Sequence, residues 1–326
     1  MLSMVCSGCS QNEESSVTPD VPMADTADST ADEAAVGEGG LKALGLDPLL
    51  FGIDPDVNND VDDAVGFQLE MPQEGDTIAV IHTSEGDITL RFFSELVPKT
   101  VTNFINLAED GKYNNTTFHR VINDFVIQGG HVGSDTEQPN GISSYGQPFE
   151  DEFCDKLFNI RGAVAMANNG KDSNGSQFFI NQINADKFQE NGGWAFYDGI
   201  WKDTVAQLKK YKDNSTLLSA YIEENGDRFI DTDTVPNEVK KLYIENGGNP
   251  NLDGAYNVAD RGSTVFAQVI DGMDVVDKIA AAEVNHKNVP KESIKINSIE
   301  ITSYSTQAQT KSSDAAEETE ATEKTD

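Results

Sequence analysis

Three segments of this 326-residue chain combine aromatic and aliphatic side chains, which favour burial, with polar groups. Burial of such polar groups without a hydrogen-bond partner would be unfavourable. They are residues 118–130, residues 162–168 together with 174–180, and residues 252–254. Arg120 lies between apolar neighbours in the first of them. An arginine between apolar neighbours on a strand is rarely a neutral choice, so Arg120 is a candidate functional residue. The alternative is an arginine that extends its charged end into the solvent.

Other kinds of chemistry receive little support from the residue pattern. Ser173 and Ser176 have no neighbouring base and no GxSxG elbow, so a serine hydrolase is not indicated. His119 is expected to be a structural hydrogen-bonding residue, and the remaining histidines show no metal-ligand spacing; they are His82, His131 and His286. The acidic run at residues 54–60 lacks the glycine and the final glutamate of a calcium loop. The sequence therefore predicts no metal site and no cofactor.

Short strand-like runs bounded by turn signals must position these segments. Eight runs are rich in β-branched and aromatic residues; they are 77–82, 87–92, 117–122, 125–128, 162–167, 177–181, 264–269 and 294–301. Two helices are predicted at residues 98–109 and 273–282 from apolar residues at helical spacing. This pattern favours a mainly β fold, a closed eight-stranded antiparallel barrel capped by two α-helices. Strand alternation places Arg120 on the same face as Ile122.

The barrel pattern is interrupted at residues 183–250. Helical periodicity occurs twice in this segment, at Trp201, Val205 and Leu208 and again at Val239, Leu242 and Tyr243. A proline precedes the second helical stretch and two glycines follow it, as at many helix ends. The sequence therefore predicts a helical insertion. Cys154, which lies outside it, is expected to be a small buried residue rather than a reactive thiol.

Composition separates the two ends of the chain from its middle. The chain has 23 Lys plus Arg against 56 Asp plus Glu, a net charge of -33 that argues against nucleic acid as a partner. Both ends are acidic and poor in aromatic residues, so they cannot bury enough surface to offset chain entropy. We expect a largely disordered tether at residues 1–75, a folded domain at 76–302 and a disordered acidic tail at 303–326. No run of eighteen apolar residues is present.

The first ten residues offer a second kind of site. Ser7 and Gly8 precede Cys9, and a polar tether follows, which resembles the lipobox of a bacterial lipoprotein with Cys9 as the lipidated residue. The basic and apolar parts of a signal peptide do not precede it, so a truncated or misassigned start is expected. The alternatives are a metal or redox pair with Cys6, which lacks further ligands, and an ordinary cytosolic start.

The motifs FHRVINDFVIQGG and GSQFFI, which begin at Phe118 and Gly175, decide between these possibilities. They resemble the cyclophilin family of peptidyl-prolyl cis-trans isomerases, and the resemblance runs from about residue 77 to 302 apart from the insertion. With its lipobox, acidic tether and insertion, the chain is most similar to the surface lipoprotein rotamases of Gram-positive bacteria. The resemblance implies a cyclophilin-like barrel and catalysed rotation of X-Pro bonds in secreted or surface proteins as they fold. The alternative is a non-catalytic module, an adhesin or a holdase, that binds proline-containing peptides.

The resemblance also implies a role for each site residue. Arg120 would donate a hydrogen bond to the prolyl nitrogen, Gln128 would fix Arg120 or the rotating carbonyl, and the backbone of Asn168 would hold the residue before proline. The residues of the apolar proline slot would be Phe125, Val126, Phe179 and Leu252. Ala167 and Gln177 would line the groove for the extended peptide, and Tyr256 takes the place of a pocket histidine.

Partners and location follow from the same resemblance. The expected partners are unfolded or extended polypeptides that contain proline, with no nucleic acid, and with a membrane only through a lipid anchor at Cys9. The expected location is the cell surface, on the outer face of the cytoplasmic membrane. Asn251 stands where some family members carry a tryptophan that favours cyclosporin, so binding of that drug is expected to be weak. Val126 replaces a common methionine, which should loosen the proline slot without abolishing activity.

Overall fold

The computed structural model of the chain describes residues 57–59, 62–133, 139–259 and 261–306. Its ten strands are β1 (Val57–Asn58), β2 (Thr77–Thr83), β3 (Asp87–Phe92), β4 (Thr116–Ile122), β5 (Val126–Gly129), β6 (Phe153–Cys154), β7 (Ala163–Met166), β8 (Phe178–Asn181), β9 (Val265–Asp271) and β10 (Lys295–Ser303). Eight of them close into an antiparallel barrel in the order β10-β2-β3-β9-β7-β8-β5-β4, with β4 pairing back to β10. The predicted barrel is therefore confirmed.

The interior of the barrel is filled by alternate residues of its strands. One interior row runs across five neighbouring strands and is fully or almost fully buried; its members are Val121, Ile127, Ile180, Val164 and Ala267. Because side chains alternate between faces along a strand, the residues on either side of this row point to the outer face. The outer face of β4, β5, β7 and β8 is the one that carries the candidate site.

Two helices cap the barrel, as the sequence predicts. Helix α1 (Pro98–Glu109) begins with a proline, whose fixed backbone angle suits the first turn. It buries Phe104, whose ring contacts the rings of Phe178 and Phe266 at centroid distances of 5.4 and 5.2 Å. Helix α6 (Met273–Ala280) ends two residues before the predicted end and packs on β3, β4 and β5.

The insertion contains four helices, α2 (Ala185–Glu190), α3 (Gly193–Tyr211), α4 (Ser215–Asn225) and α5 (Asn237–Asn246). Its inner part joins the core of the barrel domain through Phe188, Trp194 and Tyr243, whose rings contact one another. Its outer part forms a small separate core, in which Leu208, Leu218 and Phe229 pack with Ala259 from the loop that follows the insertion. The helices α3 and α5 contain the two predicted periodic stretches. The helices α2 and α4 were not predicted, because α2 has only six residues and α4 buries only Leu218, so neither shows a repeated apolar stripe.

The folded part of the chain begins before residue 76, the predicted domain boundary. A short 3-10 helix at Phe67–Leu69 inserts Gln68 into the core, where its side chain exchanges two hydrogen bonds with the backbone of Phe158, at 3.0 and 2.9 Å. Contacts with the barrel domain therefore include Gln68, which precedes the predicted domain start at residue 76. The rest of the predicted tether and most of the predicted tail lie outside the described residues, so their disorder stays a prediction.

The strands β1 and β6 form a separate parallel pair, and Cys154 in β6 is buried, as expected; burial raises the pKa of its thiol. Among the described residues, none of the helices has the length and apolar character required to cross a lipid bilayer.

Candidate active site

Arg120 and Gln128 lie side by side on the outer face of the barrel. Arg120 pairs with Gln128 across β4 and β5, and Gln128 pairs in turn with Phe179 of β8. Cross-strand partners in an antiparallel ladder point to the same face, so the three side chains form one row. A β-bulge between Phe118 and Arg120 makes this possible, because it allows Phe118 to point into the core while Arg120, two residues later, points outward.

Hydrogen bonds fix the polar part of this row. The Arg120 guanidinium donates from Nη1 to Oε1 of Gln128 at 3.3 Å, and Nε2 of Gln128 donates to Oε1 of Gln177 at 2.8 Å. Gln128 and Gln177 are both buried, whereas Arg120 is half-buried. The arginine is therefore held by its protein neighbours while part of its surface stays accessible to a ligand.

Apolar residues of the predicted proline slot flank this row. Val126 and Phe179 are only 2% and 6% exposed, and Phe125 and Leu252 are half-buried. Asn249 links the two half-buried residues, because its Nδ2 donates to the Phe125 carbonyl at 3.4 Å and its own carbonyl accepts from the Leu252 N–H at 3.0 Å. The end of the insertion thereby holds two of the predicted slot residues in place.

The backbone at Ala167 and Asn168 extends along one edge of the site. The N–H of Ala167 donates to the Gln177 carbonyl at 3.0 Å, which continues the β7–β8 ladder. The Asn168 side chain donates to the Gly262 carbonyl at 2.7 Å and accepts from the Gly170 N–H at 3.3 Å. Within the described residues, the side chain of Asn168 is therefore anchored, while no hydrogen bond to protein is recorded for its backbone N–H and C=O.

Tyr256 is less directly connected to the site. Its ring stacks on the buried Phe158 at a centroid distance of 6.3 Å, and its carbonyl accepts from the Asp231 N–H at 3.0 Å. Burial raises the pKa of its hydroxyl. These contacts place Tyr256 against the core side of its loop, and its assignment to the proline slot stays a prediction.

A buried polar network that the sequence did not reveal supports the loop of Leu252. The carboxyl group of Asp253 accepts from the Asn159 N–H at 2.7 Å and from the Tyr243 hydroxyl at 2.5 Å. Burial raises the pKa of Asp253 to about 7. Asn181, which follows the apolar run of β8, donates to Asn159 at 3.0 Å and accepts from Asn249 at 2.8 Å. The feature of the sequence that could have indicated this network is the polar Asn181 directly after the apolar residues of β8.

The structure thus brings together the polar group of Arg120, Gln128 and Gln177, and it joins the Asn168 edge to Gln177 through the β7–β8 ladder. Asn249 connects Phe125 with Leu252. The predicted lipidation residue Cys9 lies outside the described residues. His131, which the sequence offered only as a histidine without metal-ligand spacing, contacts Gln177 from outside the predicted set of site residues.

Comparison with protein families places this geometry in a known context. A sequence model described as cyclophilin type peptidyl-prolyl cis-trans isomerase matches residues 78–214 and 232–301. A candidate peptidyl-prolyl cis-trans isomerase from Staphylococcus saprophyticus is 38% identical over 235 residues, which cover 72% of this chain and 96% of that protein. A candidate isomerase from Staphylococcus aureus strain USA300 is 36% identical over 229 residues, covering 70% and 93% of the two chains.

Among solved structures, a cyclophilin type peptidyl-prolyl cis-trans isomerase from Cryptosporidium parvum, crystallised in the presence of the dipeptide Ala-Pro, also matches. It is 24% identical, with a TM-score of 0.45, and the match covers 70% of this chain and 99% of the other.

Proposed function

Because the chain belongs to the cyclophilin-type peptidyl-prolyl cis-trans isomerase family, we propose that it accelerates rotation about X-Pro bonds by means of Arg120. The observation that carries this proposal is the position of the Arg120 guanidinium, 3.3 Å from Gln128 and in the same outer-face row as Phe179. A cation is thereby held at the edge of an apolar surface that suits a pyrrolidine ring.

The physical task is to weaken the resonance of one amide. An X-Pro bond interconverts between cis and trans over a barrier of about 18–20 kcal/mol, which arises from partial double-bond character between carbon and nitrogen. A hydrogen bond from Arg120 to the prolyl nitrogen stabilises the lone pair that localises there as the bond twists. Arginine suits this role because its guanidinium keeps its charge at any working pH. The interaction forms fully only in the twisted state, so it lowers the barrier instead of merely tightening binding.

The remaining site residues hold the substrate around that bond. Phe125, Val126, Phe179 and Leu252 would contact the proline ring and exclude water, which strengthens the interaction with Arg120. The backbone groups of Asn168 would bind the residue before proline. Rotation forms and breaks no covalent bond, so the proposed mechanism requires no nucleophile and no proton transfer. The expected substrates are unfolded or extended chains that contain proline.

The test compares Arg120→Ala with the parent chain in an NMR exchange assay on an Xaa-Pro peptide. We expect turnover to fall on the order of 10²- to 10³-fold, as when one transition-state donor is removed, with peptide binding mostly retained. Arg91→Ala is the matched control, because Arg91 lies on β3, where its guanidinium bonds the backbone of Phe67 and Glu70. If the parent chain and Arg120→Ala both leave exchange at the uncatalysed rate, the isomerase proposal is rejected.

We further propose that the enzyme acts at the cell surface, on secreted or surface proteins, with a lipid anchor at Cys9. The support is the sequence Ser7-Gly8-Cys9 followed by an acidic tether of low apolar content. A long charged tether would keep the catalytic domain in the aqueous phase while one lipidated residue holds the chain at the membrane.

The insertion has a proposed role in the choice of substrate. Both of its ends bond the carbonyl of Phe125, through the Gln182 N–H at 2.9 Å and Asn249 Nδ2 at 3.4 Å. Its helix α3 also reaches the slot loop, where the Tyr197 hydroxyl lies 3.5 Å from Oδ1 of Asn251. A client chain bound in the slot would therefore extend past the insertion, and the alternative is an insertion that contributes only packing.

A further inference from the structure

A continuous series of side-chain hydrogen bonds leads from Arg120 to His131. Arg120 donates to Gln128 at 3.3 Å, and Gln128 donates to Gln177 at 2.8 Å. The Nε2 atom of Gln177 then lies 2.6 Å from Nδ1 of His131 and 2.7 Å from the carbonyl oxygen of Pro139. His131 lies two residues after Gly129, the last residue of β5, so the loop after this strand contributes to the site.

The chemistry at the two ends of the series fixes the direction of every bond in it. A guanidinium can only donate, so the Gln128 atom that faces Arg120 must be its oxygen. A backbone carbonyl can only accept, so the Gln177 atom that faces Pro139 must be its NH₂ group. With both amides oriented in this way, the Gln128 NH₂ group meets the Gln177 oxygen, and each bond has one donor and one acceptor.

The hydrogen bonds of Gln177 likewise determine whether Nδ1 of His131 donates or accepts. The Gln177 NH₂ group has two hydrogens, of which one is directed to Pro139 and the other to His131. Nδ1 of His131 must therefore accept, which it can do only when it carries no proton. We propose that His131 is a positioning residue for Arg120, and that the series keeps its orientation only while Nδ1 of His131 is unprotonated. This inference rests on the proposed function, because it acts through Arg120.

Protonation of His131 would place two donors against each other 2.6 Å apart. Gln177 could relieve this contact by reversing its amide, but its oxygen would then face the Pro139 carbonyl and its NH₂ group would face that of Gln128. If Gln128 reversed as well, its NH₂ group would face the Arg120 guanidinium. Each of these two amide reversals therefore leaves a buried donor or acceptor unmatched, which proteins strongly avoid. The hydrogen bond that orients Arg120 is one of those at risk.

Two other ionisable side chains belong to the same part of the site. Among the described residues, the titratable ring packed against His131 is that of His119, edge to face at a centroid distance of 6.2 Å. Arg120 is next to His119 in the chain and keeps its positive charge at any working pH.

The experiment measures kcat/KM of the full chain on an Xaa-Pro peptide by NMR exchange between about pH 8 and about pH 5.5, the span in which histidine side chains change charge. For the parent chain we expect a fall of about three- to tenfold on acidification, the size of effect expected when one hydrogen bond is lost. His131→Asn supplies an oxygen near the Nδ1 position that does not titrate, so its activity should stay near the parental value and vary little with pH. His131→Leu removes the acceptor and should be slow throughout.

Two controls separate this role from a general effect of acid. His286→Asn changes an exposed histidine and should keep the pH profile of the parent chain. The ¹⁵N signal of the Arg120 side chain should move on acidification in the parent chain but not in His131→Asn. The proposal is overturned if His131→Asn loses activity on acidification as the parent does, or if folded His131→Leu equals the parent at both pH values.

The failure of this inference can be told from a failure of the proposed function. If the parent chain at pH 8 does not accelerate exchange at all, the isomerase proposal fails, and the Arg120 signal alone then decides the role of His131. An Arg120 signal that responds equally to acid in the parent chain and in His131→Asn would reject the role.

Discussion

At the scale of single residues, the site depends on the orientation of groups that carry no charge. Arg120 supplies the cation, but Gln128 and Gln177 determine where it points, and each amide has only one productive orientation. Strand alternation in the sequence suggested that Arg120 and Ile122 share a face, and the paired register agrees, since both residues lie opposite residues of β5 that point outward. What alternation could not show is the bulge at residue 119 that separates Phe118 from this face.

The buried carboxyl group of Asp231 leads to a prediction about how stability depends on pH. It is buried behind the loop of Tyr256, and burial raises its pKa to about 6; among the described residues, its Oδ2 has no hydrogen-bond partner. A carboxyl group with a raised pKa binds its proton more tightly in the folded state than in the unfolded one. Its contribution to stability is therefore full below about pH 3.8 and is lost as the pH rises to about 6.

Asp231→Asn should remove this pH dependence. The amide oxygen can still accept from the Asp233 N–H, which lies 3.1 Å away, but the side chain no longer ionises. Relative to the parent chain, we expect the free energy of unfolding of the variant to gain about 1–3 kcal/mol between pH 4 and pH 8. Urea titrations at several pH values measure this gain. Asp233→Asn, at the exposed neighbouring carboxyl group, serves as the control, and equal profiles for the two variants would contradict the prediction.

At the scale of elements, the insertion is a part of the domain rather than an appendage. Phe188, Trp194 and Tyr243 belong to the main core, and the Tyr243 hydroxyl bonds Asp253 beside the slot residue Leu252. Removal of the whole segment would therefore expose the barrel core and disturb the slot. A test of its role in substrate choice must instead change its surface.

Phe196 and Leu217 provide a matched pair for this test. Both are apolar and about equally exposed, at 53% and 50%, but Phe196 is on α3 beside Tyr197, whereas Leu217 is on the outer helix α4. We expect Phe196→Ser to slow catalysed refolding of a proline-limited protein about three- to tenfold, through the loss of about 1 kcal/mol of apolar contact with the client. Turnover of a tetrapeptide should not change.

Leu217→Ser should affect neither reaction, because α4 packs on the outer core of the insertion and not on the slot loop. The two assays are run on both variants and on the parent chain, and the ratio of the two rates is the quantity compared. Identical ratios in all three proteins would reject a role for this surface in substrate choice and favour an insertion that contributes packing alone.

At the scale of the whole molecule, the chain has a compact barrel domain and strongly acidic ends. Residues 1–75 contain sixteen acidic residues against one base, Lys42, and mutual repulsion of like charges favours an extended segment. The described part of this segment shows that its last residues, around Gln68, pack on the barrel. The tether that would connect Cys9 to the domain is thus somewhat shorter than the sequence suggested.

The proposed lipid anchor at Cys9 leads to a prediction about the whole chain. When the chain is expressed in a Gram-positive host from its genomic locus, including the sequence upstream of Met1, we expect labelled fatty acid to be incorporated and the protein to sediment with membranes. Both properties should be lost in Cys9→Ser and kept in Cys6→Ser, since only Cys9 follows the small residues of a lipobox. A soluble, unlabelled parent chain would exclude the proposed anchor.

The barrel and the residue types of the site could be predicted from the sequence. Apolar residues with a period of two predict strands wherever one face must be buried, and this local rule located all eight barrel strands to within about three residues at either end. The long motif around Arg120 was sufficient to indicate the family. These features depend on short stretches of chain, whose pattern remains visible without knowledge of what packs against them.

The hydrogen bonds that join those residues could not be predicted from the sequence, because they depend on how distant segments pack. The series from Arg120 to His131 joins residues up to 57 positions apart, and the bonds of Asn249 to Asn181 and Phe125 cross the whole insertion. A hydrogen bond depends on distances of a few tenths of an ångström and on which group is excluded from water. Neither quantity has a signature in local sequence, so the partners of His131, Gln68 and Asp253 became apparent only when the strands and helices were packed together.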